Sequence, residues 1–436
     1  MSFFLKGVHT PHRKNTADKP AVRLTDVKSV TIPMSMHIGA PATPTVKVGD
    51  AVAIGDKIAE CGGFVSVPMH ASISGKVTKI TEILLSSGAK SPAIVIESDG
   101  EMRVSEAVVP PTVTNRDELL FAIRESGVVG LGGAGFPTHV KFNVDPTRIE
   151  ELIINGAECE PYITSDSYTM VERAADIERA LRAMQEHFGI KRIIIGIENN
   201  KKRAIESMRA MAERMQGVEV CVLPAKYPQG GEKVLVYHTT KKQIPTGKLP
   251  IDVGCVVCNC TTVAAIGGYL ESGMPLVSKC VTVDGGAVSE PQNVITPIGT
   301  SLEDVFAFCG GFTEAPAKVL YGGPMMGVTV IDLKSSILKN TNAILALTEK
   351  EAKLPKPTAC IRCGACINTC PLGLAPANIA AAYKKKDTEA LKSLSVDTCM
   401  LCGCCSFVCP ANRPLVQTNA LAKGLLREER EAKKNG

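Results

Sequence analysis

The sequence predicts a multidomain α/β + β chain, with a small β module in front and a helical, cysteine-bearing domain behind. Three observations carry this expectation. The chain has 436 residues, too many for a single hydrophobic core and enough for two to four domains. Residues 44–80 alternate apolar and polar positions around the turn signals Gly49-Asp50 and Gly55-Asp56, the pattern of short strands in a compact β unit. Near the C-terminus, two cysteine runs flank APANIAAAYKKKDTEALKSLS, which is rich in Ala, Leu and Lys and reads as helix.

Composition excludes several classes of protein. A hydrophobic fraction of 45% with 38 glycines suits an ordinary globular chain. The net charge of +5 is mild. The basic clusters Lys201–Arg203, Lys241–Lys242 and Lys384–Lys386 are interleaved with acids and few aromatics, so they read as solvated faces and no nucleic-acid partner is expected. The most apolar long run, 254–270, is interrupted by Asn259, Thr261, Thr262 and glycines, and is too short to span a bilayer comfortably. The opening MSFFLKG lacks a signal-peptide core, so a cytoplasmic chain is expected. In that reducing compartment 17 cysteines call for an explanation other than disulfides.

The front β module has the look of the barrel-sandwich units of biotinyl and lipoyl carriers. No lysine lies between Glu60 and Gly75, where such carriers bear a modified lysine, so a structural module is expected. Next comes GLGGAGFPTHVKF, residues 130–142, with Gly130, Gly132 and Gly135 in G-x-G-x-x-G spacing. A dinucleotide-binding Rossmann turn follows a buried strand and opens a long helix. Here residues 115–129 have helical periodicity with a cap at Asn115, and after Pro137 a short extended run is expected. The flanks are wrong for a Rossmann crevice. Residues 275–311 then read as strand, Asp284-Gly285-Gly286 turn, strand and helix, the helix capped at Thr300 or Ser301 and stopped at Gly310-Gly311.

The cysteine runs are the sharpest signal. Cys360, Cys363, Cys366 and Cys370-Pro371, then Cys399, Cys402, Cys405 and Cys409-Pro410, both read C-x2-C-x2-C-x3-C-P, the spacing of bacterial two-cluster ferredoxins. Three thiolates on one tight loop grip three corners of a cubane, and the fourth reaches the neighbouring one. Cys360, Cys363, Cys366 and Cys409 would hold one [4Fe–4S] cluster; Cys399, Cys402, Cys405 and Cys370 the other. Structural zinc sites usually show C-x2-C pairs instead. Cys404 reads as a bystander. Cys255, Cys258 and Cys260 read as core rather than a third metal site, and Cys61, Cys159, Cys221, Cys280 and Cys309 as buried thiols.

GGAGFPT followed by Lys141 resembles the flavin- and NADH-binding subunit of respiratory complex I and its hydrogenase and formate dehydrogenase relatives. INGAECEP (154–161), YPQGGE (227–232) and CNCTT (258–262) fit the same pattern in order, with Ala157 where that family has an acid. The resemblance implies FMN as cofactor and NAD(H) as substrate. It implies a binding set of Gly130, Gly132, Gly133, Gly135, Phe136, Lys141, Asn155, Glu158, Glu160, Tyr227, Gly230, Glu232, Asn259 and Thr262. Within it, Lys141 and the helix start at Asn259–Thr262 would meet the flavin phosphate, Asn155 and Glu158 the ribityl chain or ring edge, Phe136 a stacked nucleotide, and Glu160 and Glu232 its ribose hydroxyls. No side chain is expected to act as a catalytic acid or base.

The order of modules, together with GVHTPHRK (7–14) and His139, resembles the RnfC family, a component of Rnf ion-translocating electron-transport complexes. The implied domains are an N-terminal segment with barrel-sandwich module (1–108), an FMN/NADH domain (112–272), a β-grasp, SLBB-like module (273–340) and a two-[4Fe–4S] ferredoxin-like domain (345–436). The implied role is the NADH-facing peripheral subunit of a bacterial membrane complex linking NAD and ferredoxin to ion movement. It would sit at the cytoplasmic face and dock on other subunits, an iron–sulfur subunit among them. Two alternatives stand beside it: a cobalamin reductase of diol-utilisation microcompartments, and a non-enzymatic iron–sulfur relay with a vestigial flavin site.

Overall fold

The computed structural model describes residues 6–435; the signal-peptide reading of MSFFLKG falls, at positions 1–5, outside the described residues. At the front, a four-stranded antiparallel sheet pairs Ser29–Pro33, Lys90–Ser98, Gly75–Leu84 and Ala51–Val52, and a three-stranded one pairs Thr43–Pro44, Lys57–Glu60 and Met69–His70. The two Gly-Asp signals are turns for a stated reason. The Asp50 carboxylate accepts from the Lys47 amide at 2.8 Å and that of Asp56 from Ala53 at 2.7 Å, closing each bend locally.

The centre is an all-parallel four-stranded sheet in the order Val218–Leu223, Ile193–Glu198, Glu151–Gly156, Cys255–Asn259. Strands of such a sheet are covered on both faces and read as continuous apolar runs; all six residues of IIIGIE are buried. The chain enters at Glu151–Gly156, builds outward on one side, then crosses back to lay Cys255–Asn259 on the other. The order therefore reverses between these two neighbours, and ligands of open parallel sheets bind outside the strand ends at such a point. Asn155 and Asn259 lie opposite each other at that end. The helix ahead of the glycine loop is Arg116–Glu125, capped by Asn115. After Pro137 the chain forms the short helix Thr138–Phe142, not an extended run, because proline with its fixed φ suits a helix entrance.

The third unit is a six-stranded mixed sheet with the helix Leu302–Phe308, whose N-cap Ser301 accepts from the Asp304 amide at 3.0 Å. Its strands come from more than one stretch of sequence. Val22–Arg23 pairs with Gln292–Pro297, and Ala343–Leu347 lies between Ser278–Asp284 and Lys318–Tyr321. The front module and this unit share one hydrophobic core, in which Ile32, Met34, Ile58, Ile94 and Ile96 meet Val281, Val294, Leu302, Phe306 and Ile344.

In the C-terminal unit, helices Pro376–Lys384, Thr388–Ser393 and Leu415–Asn435 enclose Ile379, Leu391, Val396, Ala422 and Leu426. The stretch between the cysteine runs is thus two helices, broken where Lys386 takes a left-handed φ of 55° and Asp387 caps the next helix through the Ala390 amide. Two readings of side chains are corrected. Lys201 is buried rather than solvated, because the Glu198 carboxylate 2.9 Å away supplies its counter-charge. Cys61, Cys159, Cys221 and Cys280 are only partly buried.

Residues 7–16 cross all of this as a strap. Gly7 accepts from Thr369 of the C-terminal unit, Val8 bridges Tyr227, Arg13 pairs with Glu351, Asn15 donates to Asp284, and Thr16 meets Thr164. Ile32→Ala should destabilise the chain by about 2–5 kcal/mol, as for other large-to-small core changes. Because the core is shared, hydrogen exchange should accelerate in the front module and in 278–297 together; acceleration confined to the front module would contradict the shared core.

Candidate functional site

The loop 130–136 closes on itself through Gly130 N–H to the Phe136 carbonyl at 2.8 Å and Gly135 N–H to the Gly130 carbonyl at 3.1 Å. It leans on the start of helix Cys260–Ser272. The Leu131 amide donates to Thr262 Oγ1 at 2.9 Å. At Gly132 an added Cβ would lie 3.0–3.2 Å from three side-chain atoms of Asn259, so glycine is what lets the loop approach. Gly132, Gly133 and Ala134 form the exposed rim, and Phe136 is half-buried beside them.

Around the reversal point the structure brings together most of the residues singled out from sequence. Asn155 donates to the Gly230 carbonyl at 2.9 Å and accepts from the Ala157 amide. Lys141 donates to the Val257 carbonyl at 2.7 Å and lies 3.6 Å from the Glu232 carboxylate. Asn259 caps its own helix: its Oδ1 accepts from both Thr261 and Thr262 amides, and its Nδ2 donates to Asp166. Those two helix-start amides are therefore taken by the cap and not offered outward, as expected of the residue type most favoured there.

The acids are held differently from one another. Glu158, at a left-handed φ of 47°, is buried, and its carboxylate caps the helix Ser165–Glu172 through the Asp166 amide (2.6 Å) and the Ser167 hydroxyl (2.5 Å). Burial raises its pKa, with Lys14 opposing. Glu160 accepts from the Met325 and Met326 amides at 3.0 and 2.8 Å, and burial pushes it up to about 7 against those two hydrogen bonds. Lys14 lies beneath both, its Nζ donating to the carbonyls of Glu158, Glu160 and Ile163. The sequence pattern does not mark Lys14 or the Gly323–Met326 turn; the only signals are a lysine inside GVHTPHRK and a paired glycine.

The loop 227–232 faces the cysteine domain. Tyr227 is buried, and its hydroxyl donates to the Cys402 carbonyl at 2.7 Å. At Gly231 a Cβ would lie 2.1 Å from the Met400 methyl. Cys404 points its thiol at the Tyr227 carbonyl. Cys370, Cys399, Cys402 and Cys405 line one small cavity with Cys404, the set that crossed ligation requires. Backbone and side-chain N–H groups already approach sulfur there, Leu374 to Cys370 at 3.4 Å and Asn419 to Cys399 at 3.5 Å. Cys360 and Cys363 are exposed, while Cys366 and Cys409 pack together against Ala380, Cys405 and Leu415. The Arg362 amide, followed by Arg413, lowers the Cys360 thiol pKa. Among the described residues no three Cys, His, Asp or Glu side chains are grouped for a single metal ion.

Among the described residues, Thr138 Oγ1, His139 Nδ1 and Gln229 Nε2 are buried without a hydrogen bond, a cost of about 1–3 kcal/mol each unless something bonds them. An open glycine rim, Lys141 held at the strand Cys255–Asn259 and a parallel-sheet reversal point fit a bound phosphorylated, hydrogen-bonding cofactor.

Comparison with known proteins gives each region a counterpart. Residues 2–101 match the RnfC barrel sandwich hybrid domain, 123–268 the Nuo51 FMN-binding domain, 280–329 the SLBB domain and 356–413 the 4Fe-4S dicluster domain. The chain is 42% identical to the C subunit of the Na(+)-translocating ferredoxin:NAD(+) oxidoreductase complex of Acetobacterium woodii, over 86% of each chain. It is also 42% identical to the C subunit of the proton-translocating ferredoxin:NAD(+) oxidoreductase complex of Clostridium ljungdahlii, over 88% of this chain and 84% of that one. Among solved structures it shares a fold with a chain of an NAD+-reducing [NiFe]-hydrogenase in the H2-reduced state, with a TM-score of 0.51 and 16% identity. That match covers 72% of this chain and 61% of the hydrogenase chain.

Thr262→Val keeps the shape of the side chain and removes the acceptor for the buried Leu131 amide. It should cost about 1–3 kcal/mol, read by urea denaturation, with faster hydrogen exchange at Leu131. An unchanged Leu131 amide would show that the loop does not rest on this bond.

Proposed function

The chain belongs to the RnfC family, the C subunits of ion-translocating ferredoxin:NAD oxidoreductase complexes, and from that premise we propose how its residues make it the complex's electron entry. It is an oxidoreductase subunit with FMN, NAD(H) and [4Fe–4S] clusters, and its partners are the other subunits of that complex. FMN supplies the conversion between a hydride, carrying two electrons, and the single electrons that clusters carry. The corrinoid-reductase reading is not favoured, because the likeness to these relatives runs through most of the chain.

The residue roles follow from chemistry already described. The rim of Gly132–Ala134 would offer backbone N–H groups to acceptor oxygens. Lys141 would bring positive charge to the phosphate. Its distance of 3.6 Å from Glu232 leaves the ammonium loosely paired and able to change partner. Asn155 would orient the loop 227–232 through Gly230 and so set the width of the crevice. Phe136 would give the nucleotide an apolar face. Glu160 would take a ribose hydroxyl when the Met325–Met326 turn releases it, while Glu158 would keep the site's floor rigid through its helix cap.

One observation carries the route out of the site: the Tyr227 hydroxyl on the Cys402 carbonyl. It ties the flavin-side loop to the loop that would hold one cluster. The cluster that Cys370, Cys399, Cys402 and Cys405 would hold would then be the one to take electrons from the flavin. Cys360, Cys363, Cys366 and Cys409, the first two of which are exposed, would hold the one that serves another member of the complex. No helix among the described residues is long and apolar enough to cross a membrane, so attachment at the cytoplasmic face would come through those partners. The two relatives are named for different ions at equal identity to this chain; the choice of ion would be made elsewhere in the complex.

Two outcomes test this reading. In an anaerobic titration of the cluster-loaded, FMN-supplied protein, NADH should bleach the flavin band. Lys141→Met should weaken FMN binding about tenfold, the scale of one charge-assisted hydrogen bond. A flavin that binds and stays oxidised under NADH would leave the chain a two-cluster relay. Separately, Cys370→Ala should lose the cluster beside Tyr227 and Cys409→Ala the exposed one. Each should halve the iron, and NADH-reduced Cys370→Ala should no longer pass electrons on to the remaining cluster. If Cys370→Ala instead destroys the cluster of Cys360, Cys363 and Cys366, as EPR would report, ligation is not crossed.

A further inference from the structure

The glycine rim is backed by side chains that neither the loop motif nor the flavin-domain match contains. Lys279, on the strand Ser278–Asp284, donates its Nζ to the Leu131 carbonyl at 2.9 Å and to the Lys339 carbonyl at 3.1 Å. Lys339 donates in turn to the carbonyls of Gly127 (2.7 Å) and Pro68 (2.9 Å). Asn340 Nδ2 donates to the Gly133 carbonyl at 2.6 Å. Both lysines are buried, at 4% and 1% exposure, and burial depresses them to about 8 and about 7. Lysine is almost never fully buried without an anionic partner, and here the hydrogen-bond partners are carbonyls only.

Peptide geometry says what these bonds do. In a trans peptide the C=O and the following N–H point in opposite directions. Holding the Leu131 carbonyl inward on Lys279 therefore turns the Gly132 N–H outward, and holding the Gly133 carbonyl on Asn340 turns the Ala134 N–H outward. Neither of these amides donates within the protein among the described residues, and both residues are on the exposed rim. A cation on a carbonyl also polarises that peptide and strengthens its N–H as a donor. A glycine-rich segment has no side chains to impose this orientation on itself.

We propose that Lys279 and Asn340, from the third module, are positioning residues that aim the Gly132 and Ala134 amides at an acceptor oxygen of the bound flavin. The proposal rests on the flavin reading for the identity of the ligand, and on the geometry above for the brace itself. It makes the third module part of the flavin site, and places the Lys279 amine one peptide behind the rim.

The test uses the full, cluster-loaded chain as wild type, Lys279→Met, Lys279→Arg and Asn340→Ala. Three quantities are measured: hydrogen exchange of residues 130–136 without flavin, FMN affinity by fluorescence quenching, and the flavin midpoint potential. Lys279→Met and Asn340→Ala should exchange faster in the loop and bind FMN about tenfold more weakly. Lys279→Arg should restore most of the affinity. Lys279→Met should also lower the flavin potential, since the reduced flavin is the more negative form; a purely structural role would not move it. Unchanged exchange and affinity in a folded Lys279→Met overturns the proposal. If Lys279→Met fails to fold, the same null result in Asn340→Ala, whose side chain lies nearer the surface, overturns it. If wild type takes up no FMN, the flavin reading fails and the aiming role with it, whereas variants that bind FMN like wild type remove the brace alone.

Discussion

A loop of glycines has no side chains with which to hold its own shape, so its conformation has to be imposed from outside. Every other feature of this site depends on that constraint. The parallel sheet supplies the platform, because its strand order reverses where Asn155 and Asn259 stand side by side. Asn259 then has two tasks. It caps the helix behind it, and its side chain forms the surface against which a glycine at 132 closes without crowding. Thr262 takes the Leu131 amide one turn further on. A helix start 131 positions away in sequence thus shapes one short loop.

The same logic explains why the acids of the site are not equivalent. A carboxylate that is to meet a ligand cannot also be a permanent structural acceptor. Glu158 is fully engaged on a helix start, whereas Glu160 is held only by two amides of a turn belonging to another module. Met325 and Met400 pack beside Tyr227, Cys402 and Cys404, so that turn touches both Glu160 and the cysteine domain. The two redox sites are therefore joined by packed side chains and hydrogen bonds, not by a flexible linker.

Much of this is legible in the sequence, and the parts that are not have separate physical causes. The cysteine spacing, the Asn115 and Ser301 caps and the Gly-Asp turns are local: the residues that make the structure are within a few positions of each other. The short helix after Pro137 escapes sequence reading because five residues carry too little periodicity to distinguish it from an extended run. Lys201 escapes it because its partner Glu198 ends a strand, and charge counting along a sequence cannot see a strand end. The matched flavin segments mark which residues gather at the crevice. They do not reveal that Tyr227 reaches for Cys402 or that Lys279 supports Leu131, since those bonds join residues 175 and 148 positions apart. Nor does the sequence show that the front module and the third unit bury one core between them.

The strap of residues 7–16 bears on biogenesis. It precedes its partners in the chain, yet its Gly7 carbonyl meets Thr369, 362 residues later, and its Lys14 holds up the backbone beneath Glu158 and Glu160. Contacts of such sequence separation form late, because the chain between them must be ordered before they bring any return in stability. The strap can meet Tyr227 and the Glu158–Ile163 backbone before the cysteine domain exists, but its contact with Thr369 has to wait until that domain has left the ribosomal tunnel. The strap therefore links the cysteine domain to the central one as the last of its contacts, and that domain is seated against the rest of the protein only after residue 369 has been made.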